Sequence, residues 1–166
     1  MGTTAGSIPT FGRVNSILAL AVGTRVMVDT NIWVFVSTTR SPLHLSAVEM
    51  IRDLRLAGME LCTSRQILRE YASALTRPQR FSTAIPSSVV SGNVSKLARQ
   101  LTVVEDGPHV FAEWLNLLQI HPTGGKQVHD ANITATMIAH GIYHLLTDNT
   151  ADFQRFSSII AIHPLV

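Results

Sequence analysis

Five carboxylates, Asp29, Glu70, Asp130, Asp148 and Asp152, recur at comparable addresses along the 166-residue chain. Asp29 closes the apolar run Arg25-Val26-Met27-Val28, and Asp148 closes Ile142-Tyr143-His144-Leu145-Leu146-Thr147, with Asp152 shortly beyond it. Glu70 falls about two turns into a helix that follows a second apolar run, and Asp130 stands in the first turn of another helix. In open parallel α/β sheets, ligand sites lie just outside the carboxyl ends of the strands, so acids at these addresses converge despite their separation in sequence. Clustered carboxylates raise one another's pKa unless a cation neutralises them, and no Lys or Arg neighbours all of these along the chain. Hard oxygen donors with little sulfur or imidazole suit Mg²⁺ or Mn²⁺. Such an ion activates water and stabilises a leaving oxygen, the chemistry of phosphodiester hydrolysis. Thr30, Asn31, Asn132 and Asn149 are placed to orient water or the carboxylates.

Each acid also has a purely structural role open to it. Asp29 can begin a turn or cap a helix with Thr30 and Asn31. Glu70 can pair with Arg65 or Arg69 on a solvated face, Asp130 can complement a helix dipole, and Asp152 can act as a cap. Arg65 and Arg69, one turn apart, together with Arg77, Arg80 and Lys126, can hold the phosphates of a polyanion or simply face water.

The elements that must position these groups alternate between strand and helix. Arg25 to Val36 is continuously apolar and β-branched apart from Asp29, Thr30 and Asn31, and reads as a buried strand carrying Asp29 at its carboxyl edge. Ser41-Pro42 starts a helix with Leu45, Val48, Ile51 and Leu54 as its apolar stripe, ending at Gly58. Met59 to Cys62 reads as the second strand. Thr63-Ser64-Arg65-Gln66 has capping-box spacing before a helix through Ile67, Leu68, Tyr71, Ala74 and Leu75. Pro86 opens a helix with Val90, Val94, Leu97 and Leu101 inward, and Thr102 to Glu105 is the third strand. Asp106-Gly107-Pro108 leads into a helix with Val110, Phe111, Trp114, Leu117 and Leu118 inward. The Asp130 helix runs from Ala131 to His140 and is stopped by Gly141; Ala131, Ala135 and Ala139 let it pack closely. Ile142 to Thr147 and Ile159 to Ile162 complete the strands. This alternation predicts an α/β fold with a central, mostly parallel sheet flanked by helices.

Composition agrees. Apolar residues make up 46% of the chain and charged residues 14%, which excludes a disordered chain and predicts a large core. The uncharged run Ile17 to Val22 is too short to span a membrane, so a soluble, non-exported protein is expected. A single cysteine, Cys62, excludes an internal disulfide and fits the reducing cytoplasm. The net charge of +2 permits a polyanionic partner. Gly124-Gly125-Lys126 lacks the spacing of a phosphate-binding loop, and Gly141 separates His140 from His144, which read as ordinary histidines. Residues 1–24 match no motif and form an N-terminal extension of unknown role; 25–166 form the domain.

Four segments together, Val28-Asp29-Thr30-Asn31, Ser64 through Glu70 to Arg77-Pro78, His129-Asp130-Ala131-Asn132-Ile133 and Leu146-Thr147-Asp148-Asn149-Thr150-Ala151-Asp152-Phe153, resemble the PIN-domain nucleases, in particular VapC-type toxins. The resemblance implies a three-layer PIN-like fold and an Mg²⁺- or Mn²⁺-dependent endoribonuclease with Asp29, Glu70 and Asp130 as its acidic triad. It further implies a cognate antitoxin and a homodimer. The fourth acidic position lies between Asp148 and Asp152, and strand geometry favours Asp148. Three rival expectations are a PIN nuclease of RNA processing, a degenerate RNA- or partner-binding module, and a phosphohydrolase with Asp29 as nucleophile. The last usually wants a second Asp where this chain has Asn31.

Overall fold

The computed structural model describes residues 14–166. Five strands, β1 (Arg25–Val28), β2 (Glu60–Ser64), β3 (Thr102–Val104), β4 (His144–Thr147) and β5 (Ala161–Pro164), form one sheet in the order β3-β2-β1-β4-β5. Every pairing is parallel, so each connection must cross over the sheet. The connections are helical: α1 (Thr30–Ser37), α2 (His44–Leu56), α3 (Arg65–Leu75), α4 (Ser87–Gln100), α5 (Pro108–Ile120), α6 (Gln127–Ala139) and the single turn α7 (Thr150–Phe153). The chain leaves β1 toward β2 and β3, then returns past β1 to β4 and β5, which puts helices on both sides of the sheet. The expected three-layer α/β architecture is therefore present. Strand order reverses between β1 and β4, and the crevice at their carboxyl ends is where an open sheet of this kind has room for a ligand.

Val26, Met27, Val28, Cys62, Leu145 and Leu146 are fully or almost fully buried at the centre of the sheet. Helix α2 ends at Gly58, whose φ of +76° favours glycine; a Cβ there would meet Val22 Cγ1 at 2.9 Å. Among the described residues no helix is long and apolar enough to cross a membrane. Within the proposed N-terminal extension, Val14–Ala19 form a 3₁₀ helix and Ile17 is buried in the core. Residues 1–13 of that extension lie outside the described residues.

Several local expectations need correction. The apolar run from Arg25 is a strand only as far as Val28, after which Asp29, extended at φ −67° and ψ 158°, caps α1 by accepting from Thr30 N. A side-chain cap and cover on several sides of α1 outweigh the β propensity of Ile32-Trp33-Val34-Phe35-Val36. Helix α2 begins after Leu43, and its buried side is Ala47, Met50, Ile51 and Leu54, while Leu45 is 69% exposed and Val48 is exposed too. Ile51 and Leu54 of the expected stripe are buried, and Ala47 and Met50 take the places of Leu45 and Val48. Strand β2 extends to Ser64, and β5 begins two residues later than Ile159, taking in Pro164, which an edge strand tolerates. Helix α6 begins at Gln127, placing Asp130 inside its first turn, and Ala139 faces solvent. On α5, Val110 and Leu117 are buried, but Phe111 is 57% exposed instead of inward.

Candidate functional site

The crevice between β1 and β4 is built around Asp29. Its Oδ1 accepts from Thr30 N at 2.6 Å, and its Oδ2 accepts from Asn31 Nδ2 at 2.9 Å and Thr147 Oγ1 at 2.7 Å. The cap and the chemical address are therefore the same residue: the strand ends, the helix starts, and the carboxylate is buried between them. Asn31 is itself clamped, donating to Thr147 Oγ1 at 3.1 Å and accepting from Asp148 N at 3.2 Å. Thr147, fully buried at the end of β4, also accepts from Asn149 N at 3.0 Å. It ties both strand ends to Asp29, yet in the sequence it reads as one more β-branched residue of a buried strand.

Glu70 reaches the crevice from α3, which Ser64 caps by accepting from Ile67 N at 3.2 Å. Thr30 Oγ1 donates to Glu70 Oε2 at 3.0 Å and Gln66 Nε2 donates to Oε1 at 2.6 Å, so neither Arg65 nor Arg69 is its partner. Gln66, buried on α3, was overlooked because a lone Gln carries no sequence signal. It also donates to His129 O at 3.1 Å and accepts from Asn132 Nδ2 at 2.6 Å, binding α3 to the start of α6. Thr30, Asn31, Asn132 and Asn149 all hydrogen-bond within this network, Asn149 to Asp152.

Electrostatics reports which acids lie close together. Burial is the main cause that pushes the Asp29 pKa up to about 6; Glu70 adds to it, and the bonds from Thr147, Thr30 and Asn31 oppose it. The Asp130 pKa also rises to about 6, first through burial, then through the charges of Asp152, Asp29 and Glu70, with Arg155 opposing. Four acids therefore share one field: Asp29, Glu70, Asp130 and Asp152. Asp148, which strand geometry favoured, is exposed, while α7 turns Asp152 back toward α6. Arg155, the cation that faces Asp130, follows α7 and donates to Gln127 Oε1 at 2.6 Å and Pro122 O at 3.1 Å.

The donor chemistry fits a hard divalent cation: all oxygen, excess negative charge, and two carboxylates whose ionisation is suppressed by neighbouring acids and burial. Among the described residues, no three His, Cys, Asp or Glu side chains converge tightly enough to enclose an ion. The arrangement thus fits an ion held openly by few carboxylates, with remaining positions left to water and substrate, as is usual for Mg²⁺.

The basic residues named from sequence are scattered. Arg65 is engaged by Glu105 through Nε at 2.7 Å and Nη2 at 2.6 Å. Arg69 lines a cavity beside Glu70, and Arg77 and Lys126 are exposed. Arg80 stacks over Phe81. The histidines set aside earlier are structural: His140 Nε2 contacts Glu105 O at 2.8 Å, and His144 Nδ1 meets His163 Nε2 at 3.1 Å.

Comparison with known proteins places this arrangement. No curated protein sequence matches the chain. Among solved structures, similar folds include a VapBC2 complex from Rickettsia felis bound to a promoter DNA fragment, at TM-score 0.62 and 16% identity, covering 85% of this chain and 98% of that one. A DNA-bound VapBC from Salmonella typhimurium gives TM-score 0.61 and 17% identity over 86% of this chain and 99% of its own. A sarcin-ricin-loop-cleaving VapC20 toxin from Mycobacterium tuberculosis gives 0.56 and 19% over 72% and 86%. At these identities the likeness is one of fold. The model of the PIN domain family, however, matches residues 26–158, from β1 through Asp29, Glu70, Asp130 and Asp152 to just beyond α7, and the chain therefore belongs to the PIN domain family.

Proposed function

We propose that the protein is a metal-dependent endoribonuclease and the toxin of a type II toxin-antitoxin pair. The observation that carries the reading is the gathering of four carboxylates at the strand-order reversal of the sheet, where burial and then the neighbouring acids raise the pKa values of Asp29 and Asp130 to about 6. A divalent cation would relieve the repulsion among them, held directly by few of Asp29, Glu70, Asp130 and Asp152 and by the field of the rest. When bound, Mg²⁺ or Mn²⁺ supplies positive charge that polarises a phosphodiester and makes a nucleophile available near neutral pH. The chain's own work is positional. Thr30, Asn31 and Thr147 fix the two oxygens of Asp29, while Thr30 and Gln66 fix those of Glu70, so both acids present defined lone pairs. Arg155 offsets part of the charge on Asp130 and keeps that side of the crevice from repelling a phosphate outright.

Membership of the PIN family supports the nuclease reading, and the VapBC folds support a cytoplasmic toxin restrained by an antitoxin. Exposed Leu45, Val48 and Leu56 on α2 give such a partner an apolar surface to cover. A homodimer, which the resemblance to the VapC-type toxins implies, is part of the proposal. Purified protein with Mn²⁺ or Mg²⁺ should cut single-stranded RNA, and Asp29→Ala and Asp130→Ala should each reduce the rate by at least a hundredfold. Undiminished cutting by both variants would overturn the reading, and Mn²⁺ binding without any cleavage would leave a binding module.

A further inference from the structure

Beside the acids lies a cavity of about 470 Å³ lined by Gln66, Arg69, Glu70, Asp106, Phe111, Trp114, Val128, His129 and Asn132. Glu70 belongs to both sites: it forms part of this wall and part of the carboxylate field. We infer that the cavity receives one unstacked base of the RNA strand being cut, with Phe111 and Trp114 as its stacking surface and Glu70 marking the side on which the backbone passes to the acids. This inference rests on the nuclease reading and names what would select the cleavage position.

Four observations carry it. The Phe111 and Trp114 rings form a tilted pair 5.7 Å apart at 33°, both lining the cavity, with Trp114 half-buried against the core. Trp114 Nε1 donates to Val128 O at 3.1 Å, which fixes the indole without consuming its face. Phe111 is 57% exposed although the buried side of its helix is Val110 and Leu117, so its ring is not part of the core. The remaining polar lining suits a base more than a peptide chain. Gln66 is wholly committed to Glu70, His129 O and Asn132, whereas the described salt bridges, Arg25–Glu60, Arg52–Asp53 and Arg65–Glu105, leave Arg69 and Asp106 free. A carboxylate acceptor at Asp106 and a guanidinium at Arg69 can address a base edge and a phosphate respectively. Aromatic faces flanked by such groups are how single-stranded RNA is commonly held.

The test uses tryptophan fluorescence. Trp33 is buried, so quenching on addition of RNA reports Trp114. The intact chain carrying Asp29→Asn, which prevents cutting, is titrated with a randomised single-stranded RNA octamer and with the same octamer made abasic. The expected result is quenching by the base-bearing octamer alone. Phe111→Ala should weaken binding about tenfold with an unchanged salt slope, and Phe111→Tyr should restore it. In the cleaving protein, Phe111→Ala should flatten base preference at one position beside the cut while leaving Mn²⁺ affinity unaltered. Equal quenching by the abasic octamer, or cleavage whose base pattern Phe111→Ala does not change, overturns the inference while the nuclease reading stands. A Phe111→Ala variant that changes only oligomeric state or antitoxin binding overturns it as well, assigning the rings to a protein interface. Quenching with the expected Phe111 dependence but no cleavage under any metal keeps the base pocket and removes the nuclease.

Discussion

Thr147 carries more of the site than its type suggests. Its hydroxyl donates to Asp29 and accepts from Asn149 N, and it is fully buried, so no water replaces it when it is removed. Among the effects that pull the Asp29 pKa down, the Thr147 bond ranks first. Thr147→Val preserves shape and deletes that bond, so the carboxyl should move further above 6 and be less ionised at neutral pH. If Asp29 must be ionised to work, the acid limb of the pH–rate profile should shift to higher pH, and Thr147→Ser should bring it back. A profile unchanged in Thr147→Val would show that Asp29 ionisation does not limit the reaction. The same residue shows why the site was only partly legible. Asp29 stands out because a carboxylate in an apolar run is costly, and Glu70 and Asp130 by their places on helices at the carboxyl side of the sheet, but threonine is an ordinary strand former and gives no such contrast. Strand geometry favours Asp148, which closes β4, whereas the single turn α7 that carries Asp152 is too short for a period to be read.

At the scale of elements, periodicity located the five strands and all the long helices, and it failed where a run was apolar on every side. Helix α1 is the instance: Ile32-Trp33-Val34-Phe35-Val36 alternates in no way that separates a buried strand from a buried short helix. Its identity depends on Asp29 as a cap and on α2 and α3 covering it, which are tertiary facts. Contacts between α3 and α6 were equally invisible, since they hang on Gln66. Gln66→Leu keeps the volume while leaving Asn132 Nδ2 and His129 O without their partner and Glu70 Oε1 without its donor. The expected cost is about 2 kcal/mol, the usual penalty for stranding buried polar groups, read as a fall in thermal midpoint. Mn²⁺ affinity should fall about tenfold alongside, because Glu70 loses the donor that orients it. A midpoint loss without any change in Mn²⁺ affinity would make Gln66 a fastener of α3 to α6 and nothing more.

Across the whole molecule, two sets of buried groups oppose each other as pH changes. Asp29 and Asp130 have folded-state values near 6 against an ordinary 3.8, so the folded chain takes up their protons first, and stability rises as pH falls from above 6 toward 3.8. His163, buried against His144 between β4 and β5, is depressed to about 4 from 6.5, first by burial and then by His144. The unfolded chain takes up that proton first, so stability falls as pH drops from 6.5 through 4. By the worth of a pKa unit, His163 accounts for about 3 kcal/mol, and half-buried Asp130, discounted for solvent screening, for about 2 kcal/mol. Asp29 adds a contribution of the same sign as Asp130 and about the size of that of His163, so over the overlapping windows the carboxylates outweigh the histidine and the wild-type thermal midpoint should rise slightly as pH falls from 6.5 to 4.5. Single substitutions should expose the hidden slopes in opposite directions. His163→Phe removes the acid-sensitive group and should become more stable as pH falls. Asp130→Asn should raise the midpoint at pH 7.5, where the charge it deletes is penalised first by burial and then by Asp152, Asp29 and Glu70, and lose that advantage by pH 4.5. Saturating Mn²⁺ should reproduce part of the Asp130→Asn gain in the wild-type protein at pH 7.5, because an ion at the acids relieves the same repulsion. If Asp130→Asn gives no gain at pH 7.5, the acids do not strain the fold, and electrostatic relief is not what would draw a cation to them.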